Sequence, residues 1–379
     1  MTAATNAPTE ADASLATLLS YMAVDPANPA LILDTAEAAL DAGQVDQARA
    51  LLDRLPDTDA ALPRARHLVG LVALQSARFD EAAATFRTLL ADGCDAPALR
   101  FNAAWSLTKA GDAGAALDIL DDATALVLAQ AAALRVSLLH TSGELDAAES
   151  AGRHYLTVHP GHRGLAAAMS TLAIDIEDEA LAAQCAALAP DHPDALATLG
   201  TLALGRDDAS EAEALFDRVL ARAPHVPRAW IGRGLAGLMS GKPERAADDL
   251  DHGATLFGDY LGSWIAAGWA HFVRRDYATS RARFDHALAL DHNFAETHGS
   301  LAVLDILDGD VGSARERVAI ALRLDRECFS GALAAALLAS DSGDAASARA
   351  IIERALHTPI DGSQRTVAQS LAKMGMTLR

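Results

Sequence analysis

Residues 261–290 read LGSWIAAGWAHFVRRDYATSRARFDHALAL. Trp264 is followed four residues later by Gly268, Tyr277 opens a second apolar segment, and Phe284, Ala287 and Leu288 lie near its end. Both segments are rich in Ala and Leu, which have the best helix propensities and lose little side-chain entropy in a helix. The stretch therefore predicts two helices joined by a short turn. Small residues at Gly268 and Ala287 let the two backbones approach. Trp264 and Phe284 then fill the space between them, as close packing requires.

The pattern recurs along the chain. A turn with Gly or Asp is followed two residues later by a small apolar residue and three further on by Ala. It reads AGQVDQA at 42–48, ARFDEA at 77–82, AGDAGAA at 110–116, SGELDAA at 142–148, SGKPERA at 240–246, RRDYATS at 274–280, DGDVGSA at 308–314 and SGDAASA at 342–348, with weaker copies IEDEA at 176–180 and GRDDASEA at 205–212. The anchors are Ala48, Ala82, Ala116, Ala148, Ala180, Ala212, Ala246, Ser280, Ala314 and Ala348. Their successive spacings are 34, 34, 32, 32, 32, 34, 34, 34 and 34. Gly43, Gly111, Gly143, Gly241, Gly309 and Gly343 sit at the turn, where Gly ends a helix in the left-handed conformation. Gly70, Gly200 and Gly234 share the slot of Gly268, Phe86 and Phe216 that of Phe284, and Trp230 that of Trp264. The copies anchored at Ala148 and Ala180 lose the Gly and the Phe.

A helix–turn–helix unit of about 34 residues with these residue types resembles the tetratricopeptide repeat family. The resemblance covers 29–361 and implies an all-α, right-handed α-α superhelix, a solenoid of about ten repeats. Pentatricopeptide repeats are the near alternative, and the charge below argues against their RNA-reading role. Residues 1–8 read as disordered, 9–28 as an N-terminal capping helix or half-repeat, and 362–379 as a C-terminal capping helix, with Val367, Leu371 and Met374 on one face.

Half the 379 residues (51%) are hydrophobic, which excludes disorder for most of the chain. The balance of 51 Asp+Glu against 31 Lys+Arg leaves −20, a field that repels nucleic acid and anionic membrane surfaces. No apolar run is long enough for a membrane span, and no secretory signal opens the chain. Cys94, Cys185 and Cys328 are far apart and form no CxxC, which reads as buried thiols in a reducing, cytoplasmic compartment. A cytoplasmic scaffold of this composition reads as bacterial by analogy with the family.

No P-loop, zinc-protease or nucleophile-elbow motif is present, and too few residues flank the repeats for a catalytic domain. The sequence argues against an enzyme and implies neither cofactor nor metal. His154, His159 and His162 cluster across a Pro-Gly turn without Cys or carboxylate and read as solvated. Asp121-Asp122 and Asp248-Asp249 read as solvated helix faces.

In the family that the chain resembles, the first helix of each repeat lines the concave face. Two slots per repeat point inward there, one after the Trp slot and one after the Gly slot, with a third three residues later. They hold Leu71, Phe101, Trp105 and Met169 in the first half, and Ile231, Leu235, Ile265, Trp269, Phe272 and Val303 in the second. The pair Ala197 and Thr201 falls in the same slots. So apolar a wall predicts that something covers it, namely an amphipathic or basic peptide or helix of a protein partner. The alternative is a homo-oligomer whose groove is filled by its own or a neighbour's terminal helix. Burial of these slots by tight superhelical winding is the competing structural reading. The Lys-Asn-Arg set of a carboxylate clamp is absent, since Asn102, Lys109 and Arg228 are isolated.

Overall fold

The computed structural model describes residues 10–357, and every regular element among them is a helix. The readings of 1–8 and 362–379 lie outside the described residues. Helix Glu10–Met22 comes first. Ten helical hairpins follow, beginning with Pro29–Asp41 paired with Val45–Leu52 and ending with Phe329–Asp341 paired with Ala345–His357. The chain divides into two compact units, up to Leu172 and from Ala173, within helix Arg163–Asp175.

The turn inside each hairpin is the most regular feature. Gly43, Gly111, Gly143, Gly241, Gly309 and Gly343 all have φ between +67° and +89°. In the other four hairpins Ala77, Glu177, Asp207 and Arg275 take the same left-handed conformation, at φ +56° to +65°. An L-residue there costs about 1–2 kcal/mol relative to its usual basin, so the repeat geometry imposes the turn even where the sequence lacks Gly. Five residues after the turn comes the small anchor, always the fourth residue of the second helix. Ala48, Ala82, Ala116, Ala148, Ala212, Ala246, Ser280 and Ala314 are fully buried.

One anchor differs from the sequence reading. Ala180 is exposed, and the buried residue five after Glu177 is Ala182. The spacings around it are therefore 34 and 30 (Ala148 to Ala182, Ala182 to Ala212). The short second helix Glu179–Leu188, ten residues long, accounts for the 30. Two alanines two residues apart made either a plausible anchor on pattern alone.

Behind the anchor, a large residue of the second helix lies on a small one of the first. A Cβ on Gly70 would stand 2.4 Å from the Phe86 ring, and one on Gly268 would stand 2.2 Å from Phe284. The phenyl ring of Phe216 fills the space above both Gly200 and Gly232. The hairpin at 129–158 inverts the arrangement. Here Val136 holds the Gly slot, Gly152 holds the Phe slot, and the Met169 side chain of the next helix reaches over Gly152. Volume is conserved while small and large exchange helices, which explains why this copy looked degenerate.

The aspartate pairs are solvated as expected only in part: Asp122 and Asp248 are exposed, but Asp121, Asp122 and Asp249 have specific partners and Asp249 is buried. The second helix of the third hairpin breaks after Ile119, and Asp121 caps a new helix, Asp122–Val127, by accepting from the Thr124 amide. Asp122 accepts from the Tyr155 hydroxyl, in the buried interior of the next hairpin. Burial and that bond push the Tyr155 phenol well above its usual range. Asp249 is buried and holds the Arg233 guanidinium through both oxygens, at 2.6 and 2.8 Å.

Candidate functional site

In the first unit, helix Pro97–Ala110 places Phe101, Trp105 and Lys109 one turn apart on one face. The Phe101 and Trp105 rings stack at 6.3 Å and 25°, and the Lys109 ammonium sits 4.7 Å from the Trp105 centroid. Trp105 keeps 37% of its surface in solvent, while Leu99, Ala103, Ala104 and Leu107 on the opposite side are buried. Leu71 of the preceding first helix is half-buried against the cores of its own and the neighbouring hairpins. His67, one turn before Leu71, is pushed by burial below the usual imidazole range.

Met169 does not belong to this face. It is 0% exposed. The two-residue slip that chose Ala180 over Ala182 also shifted the inward slots of this hairpin. Trp105 is the ninth residue of its helix, and the ninth residue of Arg163–Asp175 is Thr171.

In the second unit, Ile231 and Leu235 are half-buried beside Ala247 and Leu250. Ile265, Trp269 and Phe272 are half-buried as well, but against the following hairpin. Trp269 meets Phe272 and Phe284 edge-on at 5.1 and 5.6 Å, in a cluster with Leu301 and Leu304. Val303 is correctly in register yet 2% exposed, so it presents no surface. The reason lies in small residues. A Cβ on Gly299 would stand 2.3 Å from the Gly331 amide nitrogen, so helices Ala295–Leu307 and Phe329–Asp341 run with their backbones nearly touching. Ser300 donates to Ser330 Oγ across this contact at 3.3 Å. The Glu296 carboxylate caps the second helix, accepting from the Phe329 amide at 2.7 Å, the Ser330 amide at 3.2 Å and the Ser330 hydroxyl.

A cavity of about 500 Å³ opens elsewhere on the first helices of the second unit, lined by Ile174, Asp175, Thr201, Arg228, Ile231, Phe257 and Tyr260. Sequence reasoning placed Thr201 and Ile231 inward and missed the rest. Ile174, Thr201 and Ile231 are the twelfth, ninth and fifth residues of three successive first helices, a diagonal across the stack. Phe257 and Tyr260 flank Gly258, and their rings lie 5.3 Å apart. The Trp264 indole N–H donates to the Gly258 carbonyl at 2.6 Å and pins this turn. The same device recurs one repeat earlier, from Trp230 to Pro224 at 2.7 Å, and one later, where His298 Nε2 lies 2.8 Å from the His292 carbonyl.

The histidine cluster near 159 has local roles. His159 Nε2 lies 2.9 Å from the Ala125 carbonyl, and His162 Nδ1 accepts from the Leu165 amide. Among the described residues no three His, Cys, Asp or Glu side chains are grouped to hold a metal, no helix is long and apolar enough to cross a membrane, and no disulfide joins the three cysteines.

A tetratricopeptide repeat family model matches residues 69–132 and 197–254, and a second one matches 4–72. No curated protein matches the chain. Among solved structures, the chain is similar to the APC/C hetero-tetramer Cut9-Hcn1 at 13% identity and TM-score 0.55, over 96% of this chain and 87% of that one. It is similar to the human IFIT1 dimer with m7Gppp-AAAA at 11% identity and TM-score 0.51, over 93% and 95%. An IFIT1 monomeric mutant with Gppp-AAAA matches at 10% identity and TM-score 0.52, over 86% and 90%. At these identities the likeness speaks for the fold. Ten hairpins with one turn geometry, nine of them with a buried small anchor, agree with it, and the chain is a tetratricopeptide-repeat protein.

Proposed function

We propose that the chain is a non-enzymatic, cytoplasmic scaffold that holds an amphipathic, basic segment of a protein partner against the first helices of its repeats. Tetratricopeptide repeats generally serve as protein–protein interaction scaffolds. The observation that carries the finer reading is the Phe101–Trp105 stack with Lys109 above it. A large aromatic pair left partly in water forgoes burial worth about 2 kcal/mol, and such pairs anchor interfaces. The excess of 20 negative charges favours encounter with basic segments. The IFIT1 structures contain capped RNA. For this chain the same charge opposes a polyphosphate ligand.

The test is fluorescence anisotropy of three labelled probes: a helical Leu/Lys amphipathic peptide, its Leu/Glu counterpart and a capped RNA oligonucleotide. The Lys peptide should bind, the other two far more weakly, and Trp105→Asp should abolish binding with helical circular dichroism unchanged. Tight binding of the RNA, or binding indifferent to Trp105→Asp, would overturn the reading.

A second reading rests on the apolar edge of the last described hairpin, where Leu333, Leu337 and Ile352 line a cavity of about 290 Å³. Covered by a terminal segment of a second copy, this edge would make a homo-oligomer. Light scattering decides, with and without residues 362–379. A monomeric full chain unaffected by the truncation removes it.

A further inference from the structure

The internal repeat supplies its own reference for the loop between hairpins. At the position of Phe257 the neighbouring loops hold Ala189 and Ala223, both buried, then Asp291 and Asp325. At the position of Tyr260 they hold Val226 and Phe294, each partly buried, whereas Tyr260 keeps 61% of its surface in solvent. One loop of the series thus carries an aromatic pair, an extra ring at Phe257 where its neighbours have none and a largely exposed ring at Tyr260 beside it. Gly258, at φ +69° and ψ −99°, and the Trp264 N–H hold both rings at the mouth of one cavity.

On the wall of that cavity stands Arg228. Its Nη2 is 3.8 Å from Asp175 Oδ2, well beyond the about 2.8 Å of a charge-assisted hydrogen bond, and both side chains are roughly two-fifths exposed. Among the described residues no hydrogen bond from its guanidinium is formed. By contrast Arg233, Arg245, Arg281 and Arg283 in the same unit all donate to carboxylates. A planar fork of N–H donors therefore faces a space of about 500 Å³ floored by Ile174 and Ile231 and edged by two rings, within the usual range of small-molecule sites (about 300–1,000 Å³).

We propose that this cavity binds a small aromatic carboxylate, its ring against Phe257 and Tyr260 and its carboxylate on the Arg228 guanidinium in place of Asp175. The site lies in the second unit, apart from Trp105, and its ligand is neither peptide nor base. Removal of the partner-capture reading leaves it untouched.

The experiment is isothermal titration of the full chain with indole-3-acetate, indole-3-acetamide and tryptamine. These share a ring and differ in carrying an anion, a neutral amide or a cation. Indole-3-acetate should bind and the amide at least roughly tenfold more weakly, since a hydrogen-bonded charge is lost. Arg228→Gln should remove the preference for the acid, and Arg228→Lys, which keeps charge without the fork, should fall between. Asp175→Asn should raise affinity for the acid severalfold by removing the competing anion. Tyr260→Ala should lower it severalfold. No binding of indole-3-acetate, equal binding of acid and amide, or tighter binding of tryptamine overturns the proposal. Trp105→Asp, which tests the scaffold reading, should leave this titration unchanged.

Discussion

Trp105 and Trp269 occupy the same slot, the ninth residue of a first helix, in different units. One is more than a third exposed on a ladder with Phe101 and Lys109, and the other is half-buried against Phe272, Phe284, Leu301 and Leu304. The slot does not decide which. What decides is the following first helix, which carries small Ala133 and Ser137 after Trp105 and Gly299 and Val303 after Trp269, where close backbone contact draws the next helix in. A repeat position is thus a direction in space, and its chemistry is set by its neighbour.

The largest expected effect tests this contrast directly. Trp269→Asp removes edge-on ring contacts and leaves a carboxylate in an apolar cluster, which should cost about 4 kcal/mol or more. Trp105→Asp should cost within about 1 kcal/mol. Urea unfolding followed by circular dichroism separates them. Equal losses would mean that both tryptophans are core residues, and that no binding face exists at Trp105.

Gly299→Ala comes next. Its new Cβ would meet the Gly331 amide nitrogen and the Ser330 backbone, neither of which can turn aside as a flexible side chain does. Overpacking of this kind costs about 1–3 kcal/mol. It should also loosen the cover over Val303 and Trp269, seen as a red shift of tryptophan emission. A variant that melts like the parent, with unshifted emission, would break the explanation for the closed region.

The period, the turns and most anchors were legible in the sequence because they follow from local needs: a left-handed residue, a small residue opposite it, a large one on Gly. The errors have two physical sources. Ala180 and Ala182 are chemically identical, so only packing distinguishes them, and choosing the wrong one moved Met169 onto the face where Thr171 stands. Val303 failed for another reason: its register was right, but Gly299, Ser300, Ser330 and Gly331 had to be read as a pair of helices to foresee its burial. Phe257 and Tyr260 left a usable signal. Comparing each loop with its equivalents in the other repeats marks the one where Ala189 and Ala223 give way to rings.

A smaller effect follows pH. Burial pushes the Asp251 carboxyl up, but hydrogen bonds from Arg283 at 2.7 and 2.8 Å and from His271 at 2.9 Å outweigh it, and the net shift is downward. A carboxylate with a lower value when folded stabilises the fold above the ordinary Asp range, and that contribution is lost as pH falls through the lowered value. Asp251 lies in the hairpin that precedes Trp269. Acid should therefore weaken the second unit through this site, and in Asp251→Asn that part of the decline below the ordinary Asp range should vanish. A parallel decline in both proteins would show that the Arg283–Asp251–His271 cluster does not hold in solution.

The smallest effect separates local turn geometry from neighbour cover. Ala77 in the first unit and Arg275 in the second share the left-handed turn slot that Gly fills in six other hairpins. Arg275 follows the helix of Trp269 and points into solvent, so its cost is that of the backbone alone. Ala77→Gly and Arg275→Gly should each raise stability by up to about 1 kcal/mol, since relief of the strained φ exceeds the extra chain entropy of Gly in the unfolded state. The gains should match although one hairpin borders an open face and the other a closed one. If Arg275→Gly destabilised while Ala77→Gly did not, the Arg275 side chain would be part of the cover over Trp269, and neighbour packing would reach further along the hairpin than the first helix alone.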